Sequence, residues 1–236
     1  MRSSEQLPVE AAAPAAGRSV VGLSVSMPSR QPVRSAFVPK AELGVSLDNG
    51  TMFLLKLPRA FARTVAADDF DLPQPADEFF VALERRESRC CLQELVSMLE
   101  RRDHSRAEAR RKLERKGFLP RFIEPALDLA ENRRYISDAR FAAQLIDEKK
   151  RAGWGRARVE AELRKRGVDP CVLPGYPESF FDPDDDLDRA RALLARKRVP
   201  ETRAFEKLVR HLMGKGFDYR CAAEAARERL SSEECA

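Results

Sequence analysis

The sequence is poor in the residues that most catalytic and metal chemistry uses. Its 236 residues include only two histidines, His104 and His211, and five cysteines, Cys90, Cys91, Cys171, Cys221 and Cys235, an odd number with no C-x-x-C pair. Neither a zinc site nor a disulfide framework is therefore expected, and the thiols read as reduced and incidental. One Trp, three Tyr and 11 Gly are too few for a large antiparallel β protein. The longest charge-free run, Ser19 to Ser29, spans 11 residues, well short of the ~20 that cross a bilayer. Around Glu5 and Glu10 there is no basic stretch followed by an apolar core, so a cytoplasmic address is expected. G-x-S-x-G, P-loop and dinucleotide fingerprints are all missing. The expectation is a protein that is not an enzyme, with no cofactor and no metal.

What the chain does have is charge, 34% of its residues with a net of +5, together with 43% hydrophobic residues. Residues 1–40 carry five Pro and seven Ser without a period of 2 or 3.6 and read as a flexible tail. Residues 41–84 read as a small β-rich segment and linker. Asn49-Gly50 lies there between two β-prone runs within Leu43 to Leu57 and predicts a hairpin, which needs packing or an added strand from around Phe61 to Val65. The acidic, proline-bearing stretch from Ala66 to Glu78 reads as the linker itself.

Beyond Phe79 the texture is amphipathic and helical, and it repeats. Leu113-Glu-Arg-Lys-Gly117-Phe118, Leu163-Arg-Lys-Arg-Gly167-Val168 and Leu212-Met-Gly-Lys-Gly216-Phe217 share one form, Leu-x-x-(Lys/Arg)-Gly-apolar, at offsets of 50 and 49 residues. Glycine just past a helix end takes the left-handed conformation. The Leu four residues before it and the apolar residue after it are then the pair that touch in a Schellman cap. Ser105-x-x-Glu108 is a capping box ahead of the first of these helices. Gly153-Trp154-Gly155 breaks the chain ahead of the second, and Pro200 does so ahead of the third, with Thr202 as a candidate N-cap. The expected fold is all-α: three tandem three-helix repeats of about 50 residues, at 85–134, 135–184 and 185–236, behind a small N-terminal β-hairpin and a disordered tail. Pro174, Gly175 and Pro177 are incompatible with a continuous third helix in the second repeat.

The ordered set Arg102-x-x-Ser105-x-x-Glu108, Lys112 to Phe118, Tyr135-Ile-Ser-Asp138-Ala-Arg140-Phe141-Ala142 and Gly153 to Val168 resembles the RecX family, regulators of the RecA recombinase. The resemblance covers about Ser88 to Leu230. It implies tandem three-helix repeats without catalytic residues, in a protein that binds RecA and its filament on DNA and restrains recombinase, ATPase and coprotease activities; a monomer is expected. Residues 85–134 carry a net +5, and a basic, partly aromatic surface is the candidate for contacting such a partner: Arg106, Arg111, Lys112, Arg115, Trp154, Arg156 and Arg158. The other meaning of a charge run is a solvated helix face, and Trp154, Tyr135 and Phe141 read as core residues before they read as contacts. The acidic run from Asp182 to Asp188 reads as a helix start and not as a cation site. The alternative function is a stand-alone helical DNA-binding module.

Overall fold

The computed structural model describes residues 17–28, 39–66 and 69–234. The chain divides into two compact units. One gathers the described residues up to Asp103 with Ala109–Ile136, and the other gathers His104–Glu108 with the described residues from Ser137 onward.

The first unit opens on a four-stranded antiparallel sheet of β1 (Ser19–Ser26), β2 (Ala41–Leu47), β3 (Met52–Leu57) and the two-residue β4 (Gln74–Pro75), in the order β3-β2-β1-β4. The expected hairpin is β2–β3. Gly50 takes the left-handed conformation (φ 81°), its N–H donates to the Leu47 carbonyl, and the Leu47 N–H donates to the Thr51 carbonyl. That is a three-residue loop, with glycine at the position that would strain any other residue.

The added strand is not the one expected. Phe61 lies in a short helix, α1 (Arg59–Ala62), and the sheet is completed instead by β1, which pairs along β2 from Val20↔Leu47 to Ser26↔Glu42. The reading of residues 1–40 as a tail is corrected at Ser19–Ser26, where Val20 and Leu23 point into the core; residues 1–16 and 29–38 lie outside the described residues. The stretch read as a linker is corrected too. Phe70 is buried and stacks on Phe79 at 4.9 Å, and β4 leads directly into α2 (Ala76–Leu99), a 24-residue helix that runs through the expected 84/85 boundary.

Helices α2, α3 (Arg106–Arg115) and α4 (Pro120–Asn132) form the first repeat. Helices α5 (Asp138–Arg151) and α6 (Arg156–Arg166) begin the second, and α7 (Pro183–Ala195), α8 (Ala204–Lys215) and α9 (Tyr219–Glu234) form the third. The second repeat has no third helix. A 3₁₀ turn, Pro170–Val172, and a turn through Phe181 stand in its place, with Tyr176 edge-on to Phe181 at 6.2 Å. The loop is fixed to the helices by Tyr176 Oη donating to Glu160 at 2.7 Å and by Lys150 Nζ donating to the Phe180 carbonyl at 2.7 Å. Aromatic rings thus fill the space that a helix forbidden by proline leaves open.

All three glycine turns are Schellman caps. Gly117, Gly167 and Gly216 have φ of 95°, 81° and 96°. The N–H groups of Phe118, Val168 and Phe217 donate to the carbonyls of Leu113, Leu163 and Leu212 at 3.0–3.2 Å, and each glycine N–H donates three residues back. Two further caps share the geometry: Gly153 closes α5, and Arg134 closes α4 with a left-handed φ of 59°.

The repeats also assign equivalent N-caps to the segments that follow the glycines. Asp169 and Asp218 accept from the N–H groups of Cys171 and Cys221, but Leu119 at the same position ahead of α4 caps nothing and is 37% exposed. Leu119→Asp is expected to raise stability by about 1 kcal/mol, measured by chemical denaturation; an unchanged midpoint would show that the amides of the first α4 turn have no need of a side-chain acceptor.

Candidate interaction surface

The middle helices of the repeats meet end to start, and the glycine turns are where they do so. At the start of α6 the Gly155 N–H donates to the Lys215 carbonyl at 2.9 Å and the Ala157 N–H to the Gly216 carbonyl at 3.1 Å. The first amides of any helix and the last carbonyls of another are groups without intrahelical partners. Here each set satisfies the other, with the helix dipoles head to tail. The approach is so close that a Cβ on Gly155 would lie 2.3 Å from the Gly216 carbonyl carbon.

The start of α3 repeats the arrangement on the end of α6 with different chemistry. Ser105 Oγ donates to the Arg166 carbonyl at 2.7 Å and accepts from the Glu108 N–H at 3.0 Å, while the Arg106 N–H donates to Asp138 Oδ1 at 2.8 Å. Ser105 is therefore the N-cap that the sequence indicates. The Glu108 carboxylate does not complete the box by returning to the Ser105 amide. It pairs with His104 Nδ1 at 3.0 Å and with Arg166 Nη1 at 3.1 Å, and Arg166 Nε donates to Glu162 at 2.8 Å. His104, Ser105 and Glu108 are all buried. Thr202, by contrast, does not cap α8. Arg203 occupies that position in a left-handed conformation, and the Thr202 hydroxyl accepts from Lys207 Nζ at 3.2 Å.

The candidate contact residues fall into two groups. Trp154, Arg156 and Arg158 are brought together at the α5–α6 turn. The Arg158 guanidinium lies over the indole at 3.9 Å and Lys149 Nζ lies 5.3 Å from the same ring, an arrangement in which cations take up the π face. Trp154 is half-buried against the second repeat's core, and its carbonyl accepts from Arg189 Nη1 at 2.8 Å. Arg156 donates to Glu160 at 2.8 Å and lies over Tyr176. Arg111 and Arg115 are exposed and Lys112 half-buried on α3, in the other compact unit. Arg106 belongs with the second unit, through its backbone.

Sequence reasoning missed Arg166, His104 and Arg189. Arg166 was legible only as the basic residue before a glycine, and nothing in the sequence ties it to a carboxylate 58 residues away. Arg189 pairs with Asp186, donates to the Trp154 carbonyl and lies over Phe217, joining the second repeat's turn to the third repeat's core.

Burial pushes the Cys90 and Cys91 thiols up to about 11 and about 12 and that of Cys221 to about 11, so they stay protonated at neutral pH. Among the described residues no cluster of His, Cys, Asp or Glu is able to hold a metal ion, and no helix is long and apolar enough to cross a membrane.

Fold and surface together define a tandem three-helix repeat protein. Residues 91–128 match the family model described as RecX, first three-helix domain, and residues 137–172 match RecX, second three-helix domain. The chain is 31% identical over 139 residues to the regulatory protein RecX of Herminiimonas arsenicoxydans, covering 58% of this chain and 90% of that one. To the regulatory protein RecX of Pseudomonas entomophila it is 40% identical over 124 residues, covering 52% and 80%. A crystal structure of regulatory protein RecX superposes with a TM-score of 0.56 at 17% identity, over 79% of this chain and 94% of the other. A crystal structure of RecX from Lactobacillus salivarius gives 0.52 at 15% identity, over 60% and 96%. The chain belongs to the RecX family.

Proposed function

We propose that this chain is a regulator that binds the RecA recombinase and its filament on DNA and restrains filament activities by occupying surface, without chemistry of its own. Family membership supports the regulatory role, since the relatives carry the name regulatory protein RecX. The observation that carries the mode of action is the pair of exposed cations on α3, Arg111 and Arg115. They supply charge for an acidic protein or phosphate surface.

The Trp154 cluster, in this reading, sets the geometry of the second repeat and is not itself an anchor. A stand-alone DNA-binding role is less favoured because the basic residues at the start of α6 are engaged internally, Arg156 by Glu160 and Arg158 by Trp154. Reversing both charges, Arg111→Glu with Arg115→Glu, is expected to weaken binding to RecA filaments on single-stranded DNA at least tenfold in a variant that keeps its helicity. Retention of full affinity in the folded double variant removes α3 from the contact surface.

A further inference from the structure

Among the described residues β3 is an edge of the sheet with no strand on its outer side, and its protection is slight, a single Lys. The pairing of Leu47 with Thr51 across the hairpin, followed along the register Val45↔Phe53, Leu43↔Leu55 and Ala41↔Leu57, turns the backbone groups of Phe53, Leu55 and Leu57 toward β2. The N–H and C=O groups of Met52, Leu54 and Lys56 therefore face outward, where no strand among the described residues pairs with them. The side chains of the same three residues lie on the sheet face turned away from the core. Met52 is 64% and Leu54 68% exposed, beside a floor of Gly44, Ser46, Gly22 and Ser24 that offers them little cover. The run Met52–Leu57 contains no proline, and its single charge, Lys56, stands opposite Glu42 on the same face. Edges of this kind recruit another strand.

We propose that β3 is a self-association edge, on which a second copy of this chain pairs its own β3 antiparallel about a two-fold axis through Leu54. This goes beyond the regulatory reading, does not depend on it, and departs from the monomer expected from the sequence. In that register the outward groups of Leu54 bond to those of the partner's Leu54, and the groups of Met52 bond to those of the partner's Lys56. The two sheets then join into one, without an unpaired donor or acceptor along the seam. Leu54 packs on its symmetry mate, and the Lys56 stem lies along the partner's Met52 with its ammonium in solvent.

Charge selects this register over its neighbour. A two-fold axis at Lys56 would set the two ammonium groups directly opposite, which destabilises a strand pair, and would leave Met52 and its backbone groups uncovered. The contact is small. Six residues of strand are about 20 Å long, and one strand edge with two apolar side chains falls short of the ~800 Å² per partner of a standard interface. The dimer is accordingly a weak one, with a dissociation constant on the order of tens of micromolar.

The test is sedimentation of the full chain from about 1 to 300 μM, with Leu54→Lys and Met52→Lys as variants and amide exchange of Met52, Leu54 and Lys56 as a second readout. The expected results are a concentration-dependent dimer, at least tenfold weaker in either variant at unchanged melting temperature, and amide protection that rises with concentration. Both side chains are solvent-exposed, so neither change threatens the fold. A monomer over the whole range overturns the proposal. So does a dimer that both variants leave intact, and so do β3 amides protected equally at every concentration, which would place a segment of the same chain on the edge.

Discussion

Gly155→Ala is expected to cost about 3 kcal/mol or more, the largest single effect in the helical repeats. The added methyl would stand 2.3 Å from the carbonyl carbon of Gly216 and the nitrogen of Phe217. Those are backbone atoms of a hydrogen-bonded turn and have no rotamer by which to yield. Relief requires α6 to move away from the end of α8, which breaks the Gly155 to Lys215 and Ala157 to Gly216 hydrogen bonds, each worth about 1 kcal/mol, and adds the overpacking cost of ~1–3 kcal/mol. Gly214→Ala provides a control of opposite sign. Gly214 lies in α8 with nothing within 4 Å of an added Cβ, so the helix-propensity gain of about 0.5–1 kcal/mol is expected. Denaturant unfolding of the two variants checks both signs. Equal stability in Gly155→Ala would mean that the helix junction is not the close backbone contact described.

Glu87→Gln is expected to stabilise the protein at pH 8 and to leave it nearly unchanged at pH 5. Glu87 is 6% exposed on the inward stripe of α2, among Leu83, Cys90 and Cys91. Burial drives its carboxyl from 4.5 up to about 7, against the opposing pull of Arg121 and Lys40 and with a smaller push from Glu84. The folded state thus holds a proton that the unfolded chain gives up. Below pH 4.5 both states are protonated and the group is neutral in effect. Between about 4.5 and 7 the unfolded chain ionises first, so stability falls as pH rises. Above 7 the full penalty applies, about 3 kcal/mol for a difference of this size. Glutamine cannot ionise, and its melting temperature between pH 5 and 8 should be flatter than that of the parent. Parallel profiles for the two proteins would show that Glu87 is ionised in the fold throughout.

How far the sequence discloses this structure depends on the range of the interaction concerned. The Leu-x-x-(Lys/Arg)-Gly-apolar hexamer is a local device whose bonds span five residues, and all three copies form as read. The Asn49-Gly50 hairpin is equally local. Strand β1 is not: Ser19–Ser26 is interrupted by Gly22 and a bulge between Val20 and Gly22, and its partner strand begins 15 residues beyond its end. Its alternation was too broken to stand out without that partner. The same holds for Glu87, because a sequence pattern places a carboxylate on a solvated face until the residues around it are known. At Trp154 the cations over the ring, Arg158 and Lys149, are within five residues, whereas Arg189, which donates to its carbonyl, lies 35 residues away and has no local signal. The capping box was half legible. Its Ser105 bond is local, whereas its Glu108 is drawn off by Arg166 from another repeat.

The central claim, regulation of RecA by occupation of filament surface, is tested most directly by the ATPase rate of the same bacterium's RecA on single-stranded DNA. It is titrated with this protein at fixed salt beside a DNA-only binding control. The account predicts inhibition at ratios far below one protein per RecA, because contact with a filament needs no coverage of the DNA lattice. An unaffected rate at saturating protein, together with tight and steeply salt-dependent binding to DNA alone, would contradict it and make the independent nucleic-acid module the correct description.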